Sequence, residues 1–320
     1  MNIIVLSPID PETIEGLRRG AHAVTCTFEP GNSARELLPG GEILIFRSGV
    51  TVSAEVMDEA PNLRLLIRAG SGLDNVDVQH ARRRGIRLVK IPAPSAQSVA
   101  EFTFALLLDL ARNVSLADRL LREGRWPKPQ LVGRLVSGKT LGIVGCGSIG
   151  SRVGELGAAW GMEAIGCVDV PAPELADSLR VRGIRLTSFD DVLSSADYVT
   201  LHLPLTDSTR HLIDARVLKR MKPGSFLINV ARGGVVDEEA LYAELKDGGR
   251  LLGAALDVHE REGEGERSPL ADLPNVVLTP HIGAMTVEGQ QQIGRRIIEI
   301  VAAFEGGALD QEVRNGEVIV

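Results

Sequence analysis

The chain contains 320 residues, of which 44% are hydrophobic and 24% are charged. At about 150 residues per domain, this length predicts two domains, each able to form a core without disulfides or metal. The formal net charge of −7 disfavours nucleic acid and anionic membranes as partners. The three cysteines are widely spaced and form no CxxC pair, which disfavours a disulfide framework and a zinc site.

The N-terminal apolar run is too short for a secretion signal and has no basic residues ahead of it. No apolar stretch approaches the roughly 20 residues that a membrane-spanning helix needs. We therefore expect a cytoplasmic protein that binds no metal.

Short apolar runs rich in β-branched residues recur along the chain and alternate with helical patterns. A first set of strands is predicted at 3–6, 22–26, 43–46, 65–68 and 87–91. A second set is predicted at 140–144, 163–168, 198–203, 225–230, 252–256 and 275–278. This alternation predicts βαβ units, and runs that are apolar on both faces indicate buried parallel sheets. The fold class is therefore α/β.

The stretch 98–124 contains no proline and no glycine before Gly124, and it predicts one long helix between the two sets of strands. Ser98 followed three residues later by Glu101 is a capping-box pattern for the helix start, and Gly124 is a plausible end. Such a helix either crosses from one domain to another or lies in the core of one domain. A second helical pattern, 287–304, is expected to return and pack on the first domain.

A strand runs directly into a GxGxxG turn and a helical segment. Glycines allow a tight turn, close approach of a pyrophosphate to backbone N–H groups, and close packing of helix on strand. An acid that ends the next strand can bind the adenosine ribose, and the absence of an arginine just after it favours NAD over NADP. The alternative is that this acid is an ordinary residue at a strand end, with no role in binding the ribose. The predicted cofactor-binding residues are Gly145, Gly147, Ser148, Ile149, Gly150 and Asp169.

Three polar residues in the second half follow predicted strands. Arg232 follows the run SFLINVA, where its planar fork could grip a carboxylate. His281 follows another strand, where it could donate or accept a proton. Glu262 could orient that imidazole, although several other acids lie nearby. Taken singly, each could instead be a structural or solvated residue.

Eight segments together resemble the D-isomer-specific 2-hydroxyacid dehydrogenase family, and the resemblance covers nearly the whole chain. The protein is most similar in these segments to the D-3-phosphoglycerate dehydrogenases within that family. The segments are FRSGV at 46–50, RAGSGLDNVD at 68–77, SVAE at 98–101, GKTLGIVGCGSIG at 138–150, HLPLTDST at 202–209, NVARGGVVDE at 229–238, GAALDV at 253–258 and TPHIG at 279–283.

The resemblance implies two doubly wound parallel-sheet domains, with a Rossmann nucleotide domain inserted in a flavodoxin-like substrate domain. The substrate domain would comprise 1–97 and 286–320, and the NAD-binding domain 98–285. It also implies a homodimer joined through the nucleotide domains, with 120–126 contributing. Because the sequence ends at Val320 without a regulatory domain of the ACT type, we expect no feedback through one.

The resemblance assigns roles by position in this sequence. It implies that Arg232, Glu262 and His281 are catalytic, with Glu262 selected among the nearby acids by its register from Asp257. Further residues that match cofactor contacts are Asp257, near the nicotinamide carboxamide, and Leu203, Pro204, Thr209, Ala231 and Gly283. Residues that match the substrate loops are Arg47, Ser48, Gly49 and Val50, then Ala69, Gly70, Ser71 and Gly72.

The implied reaction is reversible hydride transfer between NAD and a D-2-hydroxy acid. The expected pair is 3-phosphoglycerate and 3-phosphohydroxypyruvate, or a similar 2-keto acid with a distal anion, a phosphonate included. A glyoxylate or hydroxypyruvate reductase is the nearest alternative. An NAD(H)-sensing protein without catalysis is the alternative of another class.

Three positions depart from the family pattern. Ser95 stands where the family usually has an asparagine, at a position that often contacts substrate. His259 replaces the usual phenylalanine after the Asp-Val pair, and Gly263 replaces the usual proline after the catalytic glutamate. The departure at Ser95 leaves the exact substrate open.

Overall fold

The computed structural model describes residues 1–30, 32–92, 95–170, 173–246, 248–313, 317 and 319–320, without the side chains of Ser95 and Pro173. The chain forms two compact units. Unit 1 comprises 1–95 and 285–320, and unit 2 comprises 96–284.

Unit 1 contains a five-stranded sheet in which every pairing is parallel. Its strands are β1 (Asn2–Val5), β2 (Ala23–Cys26), β3 (Ile43–Phe46), β4 (Leu65–Arg68) and β5 (Arg87–Lys90). The order β2-β1-β3-β4-β5 is that of a flavodoxin-like sheet. The helices between them are α1 (Pro11–Arg19), α2 (Ala34–Leu37), α3 (Ala54–Asp58) and α4 (Val78–Arg83).

Unit 2 contains a seven-stranded parallel sheet. Its strands are β6 (Thr140–Val144), β7 (Glu163–Cys167), β8 (Ile184–Leu186), β9 (Tyr198–Leu201), β10 (Phe226–Asn229), β11 (Gly253–Leu256) and β12 (Val276–Leu278). The order β12-β11-β10-β9-β6-β7-β8 is a Rossmann arrangement with one added edge strand. The helices are α5 (Ser95–Arg112), α6 (Val114–Arg122), α7 (Ser148–Ala159), α8 (Pro173–Val181), α9 (Phe189–Ser195), α10 (Ala215–Leu218) and α11 (Glu238–Lys246).

The sheet of unit 2 is buried on both faces, as its continuous apolar strands predict. Side chains of β6 alternate between two apolar clusters: Ile143 packs with helix α5, and Val144 packs with the cluster that contains α9 and α11. Every residue of β9 and β10 is buried. In this central part of the sheet, the loops at the strand ends are therefore the parts that a ligand can reach.

The C-terminal part of unit 1 consists of α12 (Val287–Glu305) and α13 (Leu309–Glu312). Helix α12 begins after Thr286, whose hydroxyl accepts a hydrogen bond from the N–H of Gly289, and its Ile293 and Ile297 pack in one cluster with Leu17 of α1. The predicted return of this segment to the first part of the chain is thus observed. The chain end also pairs with β5, where the N–H of Ile319 donates to the carbonyl of Leu88 at 3.0 Å.

The prediction of one helix over 98–124 is wrong in two respects. Helix α5 begins at Ser95, so Ser98 lies inside the first turn and is not its cap. The helix ends at Arg112, and Asn113 adopts a left-handed conformation with φ 55°. Asparagine tolerates this conformation, and Asp109 Oδ1 accepts a hydrogen bond from the N–H of Ser115 at 2.8 Å to start α6. Helix α6 then ends near Gly124, whose φ is 75°.

The remaining difference is strand β8, which the sequence pattern did not predict. It has three residues at the sheet edge, where Ile184 is buried and Arg185 is exposed. A short edge strand lacks the continuous apolar run by which the buried strands were recognised.

Candidate active site

Three neighbouring strands of unit 2 carry the predicted catalytic residues at their carboxyl ends. Arg232 follows β10, Glu262 lies in the loop after β11, and His281 follows β12. These strands are adjacent in the order β12-β11-β10. Ligands of parallel α/β sheets bind at this edge of the sheet.

The structure joins two of these residues directly. His281 Nδ1 lies 2.9 Å from Glu262 Oε2, and the two side chains are 28% and 38% exposed. The second carboxylate oxygen, Oε1, accepts a hydrogen bond from the N–H of His259 at 3.1 Å. Burial alone would raise the pKa of Glu262, but the hydrogen bond and charge of His281 outweigh it and lower that pKa. The lowered pKa favours the carboxylate form of Glu262, which suits a proton on Nδ1 of His281 and leaves Nε2 as the ring nitrogen that is not engaged with Glu262.

Asp257 shapes the loop that carries His281. Its carboxylate is 2% exposed and accepts hydrogen bonds from Thr279 Oγ1 at 2.7 Å, from the N–H of Ile282 at 2.9 Å and from the N–H of Gly283 at 2.8 Å. Its carbonyl accepts the N–H of His281 at 2.7 Å. These bonds hold His281 at φ 55°, a backbone conformation that residues other than glycine rarely adopt.

Gly233 brings the Arg232 turn against the Glu262 loop. A Cβ at Gly233 would lie 1.8 Å from the carbonyl oxygen of His259, so only glycine permits this contact. Asn229 fixes the same turn, because its Oδ1 accepts from the N–H of Ala231 at 3.1 Å and its Nδ2 donates to the carbonyl of Arg232 at 3.1 Å. Arg232 Nη1 in turn donates to the carbonyl of Ala231 at 2.7 Å.

Two of the departures from the family pattern border this site. His259 Nε2 is 3.0 Å from the carbonyl oxygen of Thr279, so the imidazole ties the loop after β11 to the loop after β12. Gly263 has φ 141°, which proline cannot adopt. The third, Ser95, begins helix α5, and its side chain lies outside the described residues.

The GxGxxG turn has the shape that a pyrophosphate requires. Gly145 has φ 97°, and Gly147 is an exposed N-cap of α7 at which an added Cβ would meet no atom within 4 Å. A Cβ at Gly150 would lie 2.0 Å from the carbonyl oxygen of Gly145, so the helix packs on the turn as closely as glycine allows. Ser148 is exposed, Ile149 is partly buried, and Asp169 is exposed just past β7. These residues fit an NAD adenosine and pyrophosphate.

The backbone of His202 packs against this turn. Its N–H donates to the carbonyl of Val144 at 2.8 Å, and its own carbonyl oxygen lies 2.6 Å from the position of a Cβ at Gly145. Its Nε2 is 2.9 Å from Thr200 Oγ1, and burial lowers the pKa of the imidazole to about 3. Burial therefore favours the neutral imidazole at His202. The sequence analysis did not single it out, since a histidine in a motif carries no local sign of burial.

The other residues matched to cofactor contacts differ in how open they are. Pro204 is exposed, Leu203 is partly buried, and Thr209 Oγ1 donates to the carbonyl of Pro204 at 2.7 Å within one turn. Ala231 and Gly283 are buried, with N–H groups bonded to Asn229 and Asp257 respectively.

Unit 1 carries the predicted substrate loops at the carboxyl ends of β3 and β4. Arg47 directly follows β3, is partly buried, and donates from Nη2 to the sulfur of Met285 at 3.0 Å. Burial lowers the pKa of the guanidinium. Ser48 and Gly49 are exposed, and the N–H of Val50 closes the turn on the carbonyl of Arg47 at 3.3 Å.

The second substrate loop is more closed than predicted. The N–H of Ala69 donates to the carbonyl of Phe46 at 2.9 Å, and that of Gly70 donates to the carbonyl of Arg68 at 2.8 Å. These two N–H groups therefore cannot hold a substrate, contrary to the expectation, and Ser71 and Gly72 remain as candidates. Gly70 has φ 153°, which favours glycine, and a Cβ there would lie 2.3 Å from Nη1 of Arg68, a buried residue that the sequence analysis did not select.

The described residues contain no group of three or more His, Cys, Asp or Glu side chains arranged to hold a metal ion. No helix in the described part of the chain is both long and apolar enough to cross a membrane.

Comparison with known proteins agrees with this architecture. A family model described as the NAD binding domain of D-isomer specific 2-hydroxyacid dehydrogenases matches residues 104–283. A hydroxypyruvate reductase of Thermotoga maritima is 40% identical over 298 residues, which are 92% of this chain and 95% of that protein. A D-3-phosphoglycerate dehydrogenase of Archaeoglobus fulgidus is 38% identical over 310 residues, 96% of this chain but 58% of that protein.

A solved structure of a D-lactate dehydrogenase from Aquifex aeolicus, in complex with NAD and lactic acid, matches with a TM-score of 0.87. It is 30% identical, and the match covers 100% of this chain and 99% of that one. These matches support an oxidoreductase and not a catalytically silent NAD(H) sensor. The chain belongs to the D-isomer-specific 2-hydroxyacid dehydrogenase family and is an NAD-dependent oxidoreductase.

Proposed function

We propose that the protein reduces a 2-keto acid with a distal anionic group, of the 3-phosphohydroxypyruvate type, to the D-2-hydroxy acid. The observation that carries this proposal is the state of Arg47. The structure gives it no ion pair with a carboxylate in the described part of the chain, and its Nη2 lies 3.0 Å from the sulfur of Met285. A charged guanidinium beside exposed loop N–H groups suits a phosphate or carboxylate.

The two units have separate tasks in this proposal. Unit 2 is the NAD-binding domain, predicted as 98–285, and unit 1 is the substrate domain, predicted as 1–97 and 286–320. The cofactor residues are the GxGxxG turn, Asp169 and the exposed part of the loop after β9. The substrate residues are Arg47, Ser48, Gly49, Val50, Ser71 and Gly72, with Arg68 and Gly70 as support.

Catalysis rests on three residues of unit 2. When bound, the nicotinamide supplies the hydride for reduction and accepts it in the reverse direction. Arg232 holds the 2-keto carboxylate through its planar fork. His281 delivers a proton from Nε2 to the keto oxygen as it becomes an alkoxide, and Glu262 stabilises the imidazolium through Nδ1. In the reverse direction neutral His281 accepts the hydroxyl proton.

A panel assay tests the substrate class. NADH consumption is followed by near-ultraviolet absorbance with 3-phosphohydroxypyruvate, phosphonopyruvate, hydroxypyruvate, glyoxylate, pyruvate and 2-ketoglutarate. We expect the highest kcat/KM with a phosphorylated or phosphonylated acid. Arg47→Ala should lower that value about 10- to 150-fold, as expected for loss of a charged hydrogen bond, and should affect glyoxylate much less. Equal losses for both acids would refute a distal-anion role.

Hydroxypyruvate is the second candidate substrate. It is favoured because the Thermotoga maritima hydroxypyruvate reductase matches this chain over nearly the full length of both proteins. The phosphoglycerate dehydrogenase relative is much longer than the matched region. A preference for hydroxypyruvate over its phosphate ester would select this candidate and leave Arg47 as a clamp for a single carboxylate.

We also propose that the protein is a homodimer joined through unit 2. Large apolar side chains between 114 and 135 are 57% to 80% exposed: Val114, Leu121, Trp126, Val132 and Leu135. An exposed apolar surface of this kind marks an interface. We expect the wild type to sediment as a dimer. The double variant Trp126→Glu/Leu135→Glu should sediment as a monomer. Val181→Glu is a matched control, because Val181 is 89% exposed on α8, and a monomeric wild type would disprove the proposal.

A further inference from the structure

Asn75 lies in unit 1, in the segment between β4 and α4, and is 8% exposed. Its Nδ2 donates to the carbonyl of Arg47 at 3.0 Å and to the carbonyl of Val50 at 2.5 Å. One amide nitrogen thus holds both ends of the loop from Arg47 to Val50.

The backbone of Asn75 is joined to the residue that follows this loop. Its carbonyl accepts the N–H of Val52 at 2.8 Å, and the carbonyl of Val52 accepts the N–H of Asp77 at 3.1 Å. Two hydrogen bonds therefore fix the loop from Arg47 to Val50 to Asn75, and two more fix Val52, just after the loop, to the segment 75–77. A change at Asn75 is transmitted directly to the backbone that carries the Arg47 guanidinium.

The chemistry of the contact selects an amide. Two carbonyl oxygens face the same atom, so that atom must supply two N–H donors, which asparagine provides and aspartate and serine do not. If the side-chain amide of Asn75 were flipped, Oδ1 would face both carbonyl oxygens, and no hydrogen bond could form. Oδ1 itself is buried and has no hydrogen-bond partner among the described residues. A buried acceptor left unpaired costs stability, which points to a role for the nitrogen beyond filling space.

We infer that Asn75 is a positioning residue for substrate: its amide holds the Arg47–Val50 loop in the shape that presents Arg47 and the N–H groups of Ser48 and Gly49 to the anion. This inference rests on the substrate role proposed above for that loop. It predicts that Asn75 governs affinity for the 2-keto acid and leaves cofactor binding, which belongs to unit 2, unchanged.

Asn75→Asp is the decisive variant, because it keeps the shape and replaces the double donor by an oxygen that repels both carbonyls. Steady-state kinetics with NADH and 3-phosphohydroxypyruvate should show KM for the keto acid raised about tenfold or more, since misplacement by about 1 Å costs up to 10²-fold. The dissociation constant for NADH should stay within twofold. Asn32→Asp is the matched control, because Asn32 Nδ2 also donates to a carbonyl, that of Cys26, at 2.8 Å and outside the loop.

Measuring KM and kcat separately distinguishes a positioning role of Asn75 from simple loss of folded protein. Unfolding lowers the apparent kcat through the active fraction and leaves KM unchanged, so that result would overturn the inference. Asn75→Ser retains one donor and should raise KM by less than Asn75→Asp. It also serves as the test if the aspartate variant does not fold.

Arg47→Ala distinguishes the two levels of the argument. If Arg47→Ala raises KM for the keto acid and both Asn75 variants leave it unchanged, the inference about Asn75 fails while the role of the loop stands. If Arg47→Ala leaves KM unchanged for every acid tested, the proposed role of the loop fails, and the inference fails with it.

Discussion

Gly147→Ala separates a requirement of the fold from a requirement of the cofactor. Gly147 has φ −74° and ψ −160°, a conformation open to alanine, and an added Cβ would meet no atom of the protein within 4 Å. The protein alone therefore gives no steric reason for a glycine here. A pyrophosphate that approaches the N–H groups of the turn does give one, because the new methyl group would occupy its space.

The structure sets the expected magnitudes. Replacing glycine by alanine at a compatible backbone conformation stabilises a protein by about 0.4–1 kcal/mol through the unfolded chain, but alanine is a poorer helix N-cap than glycine by a similar amount, so Tm without ligand should change little. If the methyl group costs the pyrophosphate one charge-assisted hydrogen bond, about 1.5–3 kcal/mol is lost. That loss corresponds to a roughly 10- to 150-fold weaker NADH complex.

The assay combines thermal unfolding without ligand and calorimetric titration with NADH. Two further glycines serve as matched variants, because an added Cβ at either meets no atom within 4 Å. Gly40→Ala lies away from both sites and should change neither NADH binding nor KM. Gly49→Ala lies in the substrate loop and should raise KM for the keto acid only. Unchanged NADH affinity in Gly147→Ala would refute the placement of the pyrophosphate, and a large fall in its Tm would refute the steric argument.

Three further predictions concern titrating groups of unit 2. His281→Ala should lower kcat by about two to four decades, the usual share of a general acid, with NADH affinity unchanged in fluorescence titration; near-normal turnover would exclude His281 as the acid. Glu262→Gln should lower kcat for reduction while NADH affinity stays unchanged, because the imidazolium loses its anionic partner at Nδ1, and an unchanged kcat would contradict the 2.9 Å pairing. His202 has a pKa of about 3 when folded against 6.5 ordinarily, so only the unfolded chain takes up this proton as the pH falls from 6 to 4. Over that interval the wild type should lose about 2 kcal/mol more unfolding free energy than His202→Gln in urea titrations, and parallel curves would show that His202 is not held neutral.

Local patterns were sufficient for the elements whose burial is uniform. The strands β3 and β11 are continuous apolar runs, β4 and β10 are apolar up to their last residue, and the GxGxxG turn is defined by the conformational freedom of its glycines. The break at Asn113 was missed because its cause is a contact, the bond from the N–H of Ser115 to Asp109, and not a proline or a glycine. Strand β8 was missed because an edge strand needs only one buried side chain.

By itself, the sequence determined the α/β class, the order of the two strand sets, the dinucleotide turn and the types of residue that chemistry requires at strand ends. Each of these depends on residues close together in the chain. Only the tertiary structure decided which acid pairs with His281, how the carboxylate of Asp257 holds the loop around it, and that Asn75 fastens the loop of Arg47. These contacts join residues 19 to 28 positions apart, and in each case the partners are polar groups with no periodicity of their own. Such pairs form because parallel strands bring their carboxyl ends to one edge of the sheet, which local sequence patterns do not record.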